Sequence, residues 1–225
     1  RFFLPRALAG RKAIVTSGPT YESIDPVRFI GNRSSGKQGH AIARALRDAG
    51  ADVTLITGPV ALPDPDGITT IHIESAQQML SACEEALPAD IAVCAAAVGD
   101  WAPQSAPQKI KKNGGQPPVI TLSENPDILQ MLSTHARRPR LVIGFAAETE
   151  NLLDNAIAKR ARKSCDWILA NDVSETKNGQ KVFGQDDNHV YFISEQTHED
   201  WQKISKADIA QKLVIKIEDA LNERS

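Results

Sequence analysis

The chain has 225 residues, of which 41% are hydrophobic and 24% are charged, and it contains 14 Gly and 13 Pro. These proportions are typical of a globular protein and exclude an intrinsically disordered chain, a collagen and a disulfide scaffold. The net charge of -2 excludes the broad basic field that binds polyanions, so we expect no nucleic-acid partner. A chain of this length buries one sizeable core, which predicts a single domain over residues 1–225.

The cysteines and the apolar runs indicate the compartment. Cys83, Cys94 and Cys165 form no CxxC pair, which excludes a disulfide framework and a zinc site. No apolar run approaches the roughly 20 residues that a membrane helix needs, and residues 1–5 do not resemble a signal peptide. We expect a cytoplasmic protein with no membrane partner. The chain begins at Arg1 rather than Met, which predicts a part of a longer protein.

Short β-rich runs alternate with helical patterns along the chain. Strands are predicted at 12–16, 53–57, 69–73, 91–95, 141–145 and 167–170. Helices are predicted around 41–49, after a capping box at Ser75 and Gln78, at 126–134, at 151–163, and after an N-cap at Ser205. The alternation predicts a Rossmann-like three-layer α/β fold with a mostly parallel sheet.

Two stretches interrupt the alternation. Residues 99–121 carry four prolines and a Gly-Gly pair, with strand-like flanks at 109–111 and 119–121. This composition predicts a protruding β arm or lid, which we call the arm. Residues 177–193 predict a loop followed by a hairpin, so a C-terminal hairpin and helix are expected at about 182–222.

The loop after the first strand, residues 17–39, is unusually long and is a candidate binding loop. Its end, residues 32–39, brings backbone N–H groups, two hydroxyls and two cations to a helix N-terminus, which favours an anion site over simple turn and capping roles. Residues 31–37 resemble a phosphate-binding P-loop, but Gln38 replaces the Ser or Thr that magnesium requires and no strand leads into Gly31. A P-loop NTPase is therefore excluded. A nicotinamide-dependent oxidoreductase stays an alternative, although GxGxxG is absent.

Other strand ends carry candidate residues with two interpretations each. Asp100 either binds a metal or a ribose hydroxyl or forms a turn. Lys109 and Lys111 alternate along a predicted strand and would be catalytic only beside a phosphate; otherwise they protect a solvated edge. Asn125 and Pro126 are explained by an N-cap and the first helical position.

Two further features are equally open. Phe145 ends a strand, where an aromatic ring stacks on a flat ligand or packs in the core. Lys159 and Lys163 share one helix face, where they repel each other unless an anion bridges them, or lie in a solvated last turn.

Several segments in a fixed order carry a resemblance that extends from about Gly10 to the terminal helix. They are Thr16-Ser-Gly-Pro-Thr20, Asp25-Pro-Val-Arg28, Asn32-Arg-Ser-Ser-Gly-Lys-Gln-Gly39, Ala95-Ala-Ala-Val-Gly-Asp100, Lys109-Ile-Lys-Lys112, Asn125-Pro-Asp-Ile128, Gly144-Phe-Ala-Ala-Glu-Thr149 and Ala170-Asn-Asp172. In these segments the chain resembles the bacterial phosphopantothenoylcysteine synthetase family of coenzyme A biosynthesis. The resemblance implies a CTP-dependent ligase that uses Mg²⁺ or Mn²⁺ to join 4′-phosphopantothenate to cysteine through an acyl-cytidylate.

The resemblance also implies roles for individual residues. Asn32 and Lys109 match catalytic positions, and Asp100 matches a candidate metal ligand. The positions that match CTP binding are Cys94, Ala95, Ala96, Asp100, Lys109, Asn125, Pro126, Asp127, Ile128, Phe145, Lys159 and Lys163. Those that match phosphate or substrate binding are Gly18, Ser34, Ser35, Gly36 and Gly39.

The family resemblance implies partners as well. It implies a homodimer in which the arm with Lys109 lies near the partner's site. It also implies a fusion to an N-terminal flavin-dependent decarboxylase, so that no flavin is expected in this half. A non-catalytic nucleotide-binding regulator remains the alternative that differs only in lacking turnover.

Overall fold

A computed structural model of the protein describes residues 6–112, 114, 117–148, 150–172 and 187–223. The strands are β1 (Lys12–Ser17), β2 (Tyr21–Asp25), β3 (Arg28–Gly31), β4 (Asp52–Thr57), β5 (Thr69–His72), β6 (Ile91–Cys94), β7 (Trp101–Pro103), β8 (Leu122–Glu124), β9 (Leu141–Glu148), β10 (Trp167–Asp172), β11 (Asp187–Ile193) and β12 (His198–Ser205). The helices are α1 (Lys37–Asp48), α2 (Ala76–Glu85), α3 (Ile128–Thr134), α4 (Leu152–Lys163) and α5 (Lys206–Glu223).

Eight strands form one sheet in the order β12-β11-β10-β9-β6-β1-β4-β5. The pairs from β10 to β5 are parallel, whereas β11 and β12 are antiparallel to their neighbours. The predicted mostly parallel α/β sheet is therefore confirmed. Because the central strands run the same way, their carboxyl ends lie along one edge of the sheet, where ligands bind in such folds.

Both faces of the sheet are buried, which explains why the strands read as continuous apolar runs. In β6, Ile91 and Val93 belong to one core while Ala92 belongs to the other. The first core is closed by α1 and α5, and the second contains residues of α2, α3 and α4. This side-to-side alternation is the period of two that a strand imposes on its side chains. No helix in the described ranges is both long and apolar enough to cross a membrane.

The helix starts confirm two capping predictions and correct a third. The Ser75 hydroxyl and the Gln78 side chain form the predicted capping box, and Ser205 Oγ accepts from Asp208 N at 3.1 Å. The prediction that Asn125 caps α3 is wrong, because the cap is Asp127, whose side chain accepts from Gln130 N at 2.9 Å. The Asn125 side chain instead donates to Gly99 O at 2.9 Å.

Two small antiparallel ribbons stand outside the main sheet. β2 and β3 form a hairpin inside residues 17–39, which were predicted to be a long loop, and β7 pairs with β8 at the base of the arm. The predicted strand-like flanks at 109–111 and 119–121 are wrong, since the paired segments are 101–103 and 122–124. The C-terminal hairpin is β11 and β12; residues 182–186, where it was expected to begin, lie outside the described residues.

Candidate active site

A cavity of about 830 Å³ opens at the carboxyl ends of the central parallel strands. Its floor contains Thr16 of β1, Cys94 of β6, Phe145 of β9 and Asn171 of β10. The predicted site residues that line it are Asn32, Ser34, Ser35, Gly36, Gly39, Cys94, Ala95, Ala96, Asp100, Asn125, Pro126, Asp127, Ile128, Phe145, Lys159 and Lys163. The fold thus brings together residues that lie more than a hundred positions apart in the chain.

One wall of the cavity is the start of α1. Gly36, the N-cap, has a φ of +70°, which a residue with a side chain rarely adopts. Gly39 lies so close to the end of β1 that a Cβ there would be 2.5 Å from Ser17 Oγ. Glycine at these two positions therefore allows the start of α1 to pack closely against the end of β1. The first N–H groups of the helix have no partner within the helix, and such groups are suited to binding an anion.

A buried network holds this helix start from below. Ser17 Oγ donates to Gly36 O at 2.9 Å, and His40 Nδ1 lies 3.0 Å from Ser17 Oγ and 3.1 Å from Gly36 O. Burial lowers the pKa of His40, so the ring is neutral. Gly36 O only accepts, so a bond from His40 to it uses the tautomer with the proton on Nδ1, and the network fixes the turn at the start of α1.

Asn32 lies at the rim of the cavity between the β2–β3 hairpin and the loop after β6. Its Nδ2 donates to Val98 O at 3.0 Å. The adjoining Asp100 is exposed to the cavity, and its carbonyl accepts from Asn125 N at 2.9 Å. These contacts join the loop after β6 to the segment before α3, so that Asn32 and Asp100 face one space from neighbouring loops.

The opposite wall is cationic and is provided by α4. Lys159 Nζ donates to Phe145 O at 2.9 Å, and Lys163 forms an ion pair with Asp127. Burial lowers the pKa of Lys159 below its ordinary value. The two lysines share a helix face as expected, but Asp127 already supplies the negative charge for one of them. Lys159 is half-buried and its ammonium group is held by the backbone carbonyl of Phe145.

The Cys94 thiol in the floor is not poised as a nucleophile. Burial raises the pKa of Cys94 well above its ordinary value. A thiol of that kind stays protonated near neutral pH and contributes shape rather than reactivity.

The cavity also contains polar residues that sequence reasoning did not assign to it. Among them are Arg162 of α4, Asn171 of β10, Asn188 of β11 and Lys206 at the start of α5. A signal existed for Asn171, which belongs to one of the family-like segments, and for Arg162, which lies beside Lys163. Asn188 and Lys206 carry no local signal, because the antiparallel hairpin alone brings them to this edge of the sheet.

Two predicted site residues do not line the cavity of their own chain. Gly18 is not among the lining residues, and its carbonyl accepts from Ala97 N at 2.8 Å. Lys109 is exposed on the arm, next to Ile110, whose backbone contacts the β2–β3 hairpin. Any role of Lys109 in the chemistry therefore requires either movement of the arm or a second molecule.

The carboxylates of the cavity provide few ligands for a metal ion. Over the described ranges, no group of three or more His, Cys, Asp or Glu side chains is close enough to hold one. Asp127 is occupied by Lys163 and by its capping bond, which leaves Asp100 and Glu124 as the other carboxylates among the described lining residues. One or two carboxylates suit a magnesium ion that arrives with a nucleotide, because such ions take most of their ligands from phosphates and water.

Comparison with known proteins agrees with this geometry. A family model described as the DNA/pantothenate metabolism flavoprotein C-terminal domain matches residues 8–221. The chain is 46% identical over 224 residues to the coenzyme A biosynthesis bifunctional protein CoaBC of Mycobacterium tuberculosis, covering 94% of this chain and 53% of that protein. The chain thus spans about half the length of the curated relatives that it matches.

Solved structures lead to the same family. A crystal structure of the C-terminal domain of a CoaBC protein superposes with a TM-score of 0.81 at 35% identity, covering 97% of this chain and 99% of that one. A DNA/pantothenate metabolism flavoprotein from Streptococcus pneumoniae gives a TM-score of 0.79 at 26% identity, covering 94% of this chain and 100% of that one. Fold, cavity position and family match converge, and the chain belongs to the family of DNA/pantothenate metabolism flavoprotein C-terminal domains, as its motifs indicated.

Proposed function

We propose that this chain is a phosphopantothenate–cysteine ligase that uses CTP to activate the carboxylate. The observation that carries the proposal is the gathering of the aromatic side chains of Trp101 and Phe145, an open helix start and several cations around one cavity at the strand ends. An aromatic ring suits a base, and cations and N–H groups suit phosphates. The name of the matched CoaBC proteins supports the same pathway.

The first step forms a mixed anhydride. A carboxylate oxygen of 4′-phosphopantothenate attacks the α-phosphorus of CTP, the bond to the β-phosphate oxygen breaks, and pyrophosphate leaves. Lys159 and the cavity wall of α4 bind the nucleotide phosphates in this proposal, and Phe145 contacts the cytosine. Asp100, together with the nucleotide phosphates, would hold a magnesium ion, which when bound would supply positive charge for the leaving pyrophosphate.

The second step transfers the acyl group to cysteine. The amine attacks the acyl carbon, the bond to the cytidylate oxygen breaks, and CMP leaves while the nitrogen loses a proton. Asn32 holds the acyl-cytidylate, because an amide both donates and accepts hydrogen bonds. Its attachment to Val98 O supports a fixed orientation at the rim.

We further propose that two copies form a homodimer through the β2–β3 hairpin and the arm. Apolar side chains cluster there in unusual exposure, with Val27 61% and Val119 92% accessible, together with Phe29, Trp101 and Leu122. An exposed apolar patch of this kind is typical of a protein interface. The position of Lys109 outside its own cavity also supports a second copy, whose site that lysine would complete.

The remaining length of the curated relatives supports a fused second activity, and by resemblance we propose a flavin-dependent decarboxylase there. The cysteines Cys83, Cys94 and Cys165 are free, which supports a reducing compartment, and we infer the cytoplasm.

The ligase proposal is tested by incubating the protein with CTP, Mg²⁺, phosphopantothenate and cysteine. Pyrophosphate and CMP are expected together, and omission of cysteine should leave pyrophosphate release with no matching release of CMP. Asn32→Asp should bind CTP but fail to complete turnover, whereas Asn222→Asp on the exposed end of α5 should behave as wild type. Binding of NADPH rather than CTP in a calorimetric titration would favour the oxidoreductase instead, and CTP binding without any CMP would favour a regulator.

The dimer is tested by sedimentation. Val27→Glu places a charge in the apolar patch and should give a monomer. Ile215→Glu changes a similarly exposed apolar residue on α5, outside the patch, and should stay dimeric. A wild-type monomer, or equal effects of both variants, would contradict the proposed interface.

A further inference from the structure

The Asp25–Arg28 segment, which the proposed chemistry does not use, lies at the tip of the β2–β3 hairpin. The side chain of Asp25 is completely inaccessible, although aspartate is almost always exposed in folded proteins. A carboxylate buried in this way must be hydrogen-bonded by its surroundings.

The donors to Asp25 come from two separate parts of the chain. Oδ1 accepts from Val27 N at 2.8 Å and from Arg28 N at 3.0 Å, which shapes the hairpin turn. Oδ2 accepts from the Arg28 guanidinium and from Ile110 N at 3.1 Å, and Ile110 belongs to the arm. One carboxylate therefore joins a turn of the hairpin to a segment 85 residues further along the chain.

Both backbone polar atoms of Ile110 in the arm are hydrogen-bonded to the hairpin. The Ile110 N–H is bound by Asp25, and the Ile110 carbonyl accepts from Arg28 Nη1 at 3.3 Å. A further bond runs from Ala106 N to Ile24 O at 2.9 Å. These contacts fix the backbone at Ala106 and at Ile110, and Lys109 lies between them.

The charge of Asp25 suits this task. Burial acts to raise the pKa of Asp25, but the backbone bonds from Val27 and Ile110 and the charge of Arg28 lower it below its ordinary value. The group is an ionised carboxylate that only accepts, so all of its bonds are compatible with one another.

We propose that Asp25 is a positioning residue that docks the arm on the β2–β3 hairpin and so sets where Lys109 is presented. The inference rests on the proposed ligase function for its kinetic consequence, but the docking itself is a property of the fold. The same hairpin leads through β3 to Asn32, so one element positions both residues that the resemblance makes catalytic.

Docking is tested by hydrogen exchange on Asp25→Asn. The new amide nitrogen is a donor and replaces either Oδ1, which faces the N–H groups of Val27 and Arg28, or Oδ2, which faces the Ile110 N–H and the Arg28 guanidinium. In the second orientation the bond to the arm is lost, and in the first the Ile110 N–H keeps only an uncharged acceptor, so the contact with the arm is weakened in both. Loss of a hydrogen bond to a charged acceptor should speed amide exchange over residues 104–112 by about tenfold or more. Asp48→Asn removes the same charge from an exposed pair on α1 and should leave the arm unchanged. Unchanged exchange at the arm in Asp25→Asn would overturn the proposal.

A double-mutant cycle with Lys109→Gln separates positioning from general loss of structure. Asp25→Asn should lower the rate of CMP release by about tenfold while the Kd for CTP changes less than about twofold. The double variant should be no slower than Lys109→Gln alone. Asp25 acts on the rate through the position of Lys109, so its effect disappears once that lysine has been replaced. If the two effects multiply, Asp25 acts independently of Lys109 and the proposal is wrong.

Two outcomes remain distinguishable. If wild type releases no CMP, the ligase function fails while the exchange experiment still decides the docking. If Asp25→Asn does not fold, Asp25→Glu keeps the charge and moves the carboxylate by one methylene. It should retain CTP binding with faster exchange at the arm than wild type, and exchange at the wild-type rate would contradict the docking role.

Discussion

The contact between Gly39 and Ser17 allows a quantitative prediction. Replacing Gly by Ala within a helix ordinarily stabilises it by at most about 1 kcal/mol. At this position the added Cβ would lie 2.5 Å from Ser17 Oγ, 2.6 Å from Ser17 Cβ and 3.1 Å from Ser17 Cα. Overpacking of this kind costs about 1–3 kcal/mol. The Ser17 Cα belongs to the backbone and cannot rotate away, and the Ser17 Oγ is bound to Gly36 O. We therefore expect the cost of the clash to exceed the gain in helix propensity.

Gly39→Ala should therefore lower the free energy of unfolding by about 1–2 kcal/mol, measured by urea denaturation. The matched control is the same change in a Ser17→Gly background, where the two closest contacts are absent. The double variant should be more stable than the sum of the single effects by about 1 kcal/mol. If Gly39→Ala is as stable as wild type, or if the effects simply add, then α1 is not pressed against β1 as described.

Three further predictions concern ionisable side chains. Lys159→Met should raise the Kd for CTP by about tenfold or more, whereas Lys203→Met on exposed β12 should not, measured by calorimetry. Because the pKa of Lys159 is lowered mainly by burial, CTP affinity should also fall as the pH rises through that value, and Lys159→Arg should abolish the fall. Burial raises the pKa of the Cys83 thiol to about 12, so iodoacetamide at pH 8 should label it only after unfolding, as mass spectrometry would reveal. Burial acts to raise the pKa of Glu199, but a hydrogen bond from Lys216 lowers it overall. Its contribution to stability should be present above the ordinary pKa of 4.5 and lost as the pH falls through the lowered value. Glu199→Gln should therefore make the free energy of unfolding less dependent on pH in this range, by less than about 1 kcal/mol, as measured by acid unfolding.

The start of α3 shows where sequence reasoning reaches its limit. Asn125 and Asp127 are both good capping residues, and a local pattern cannot choose between them. The choice is made by the loop after β6, whose Gly99 carbonyl takes the Asn125 side chain and leaves Asp127 to cap. The helix consequently begins two residues later than the sequence predicts.

The arm shows the same limit for strands. Lys109 and Lys111 alternate as in a strand, but a strand needs a partner for its backbone. The N–H between them is bound by the Asp25 carboxylate instead, so that segment is held in irregular backbone. Contacts between residues this far apart in the chain leave no periodic signal.

By itself, the sequence determined the parallel α/β sheet, most helix positions, the family and the edge of the sheet that carries the cavity. Those features follow from local periodicity, from capping chemistry and from motifs that are contiguous in the chain. Only the tertiary structure decided that Lys163 is paired with Asp127, that Asn188 and Lys206 reach the cavity, and that Lys109 lies outside it. Each of these depends on distances between remote segments, because charge pairing and cavity shape are set by packing in three dimensions.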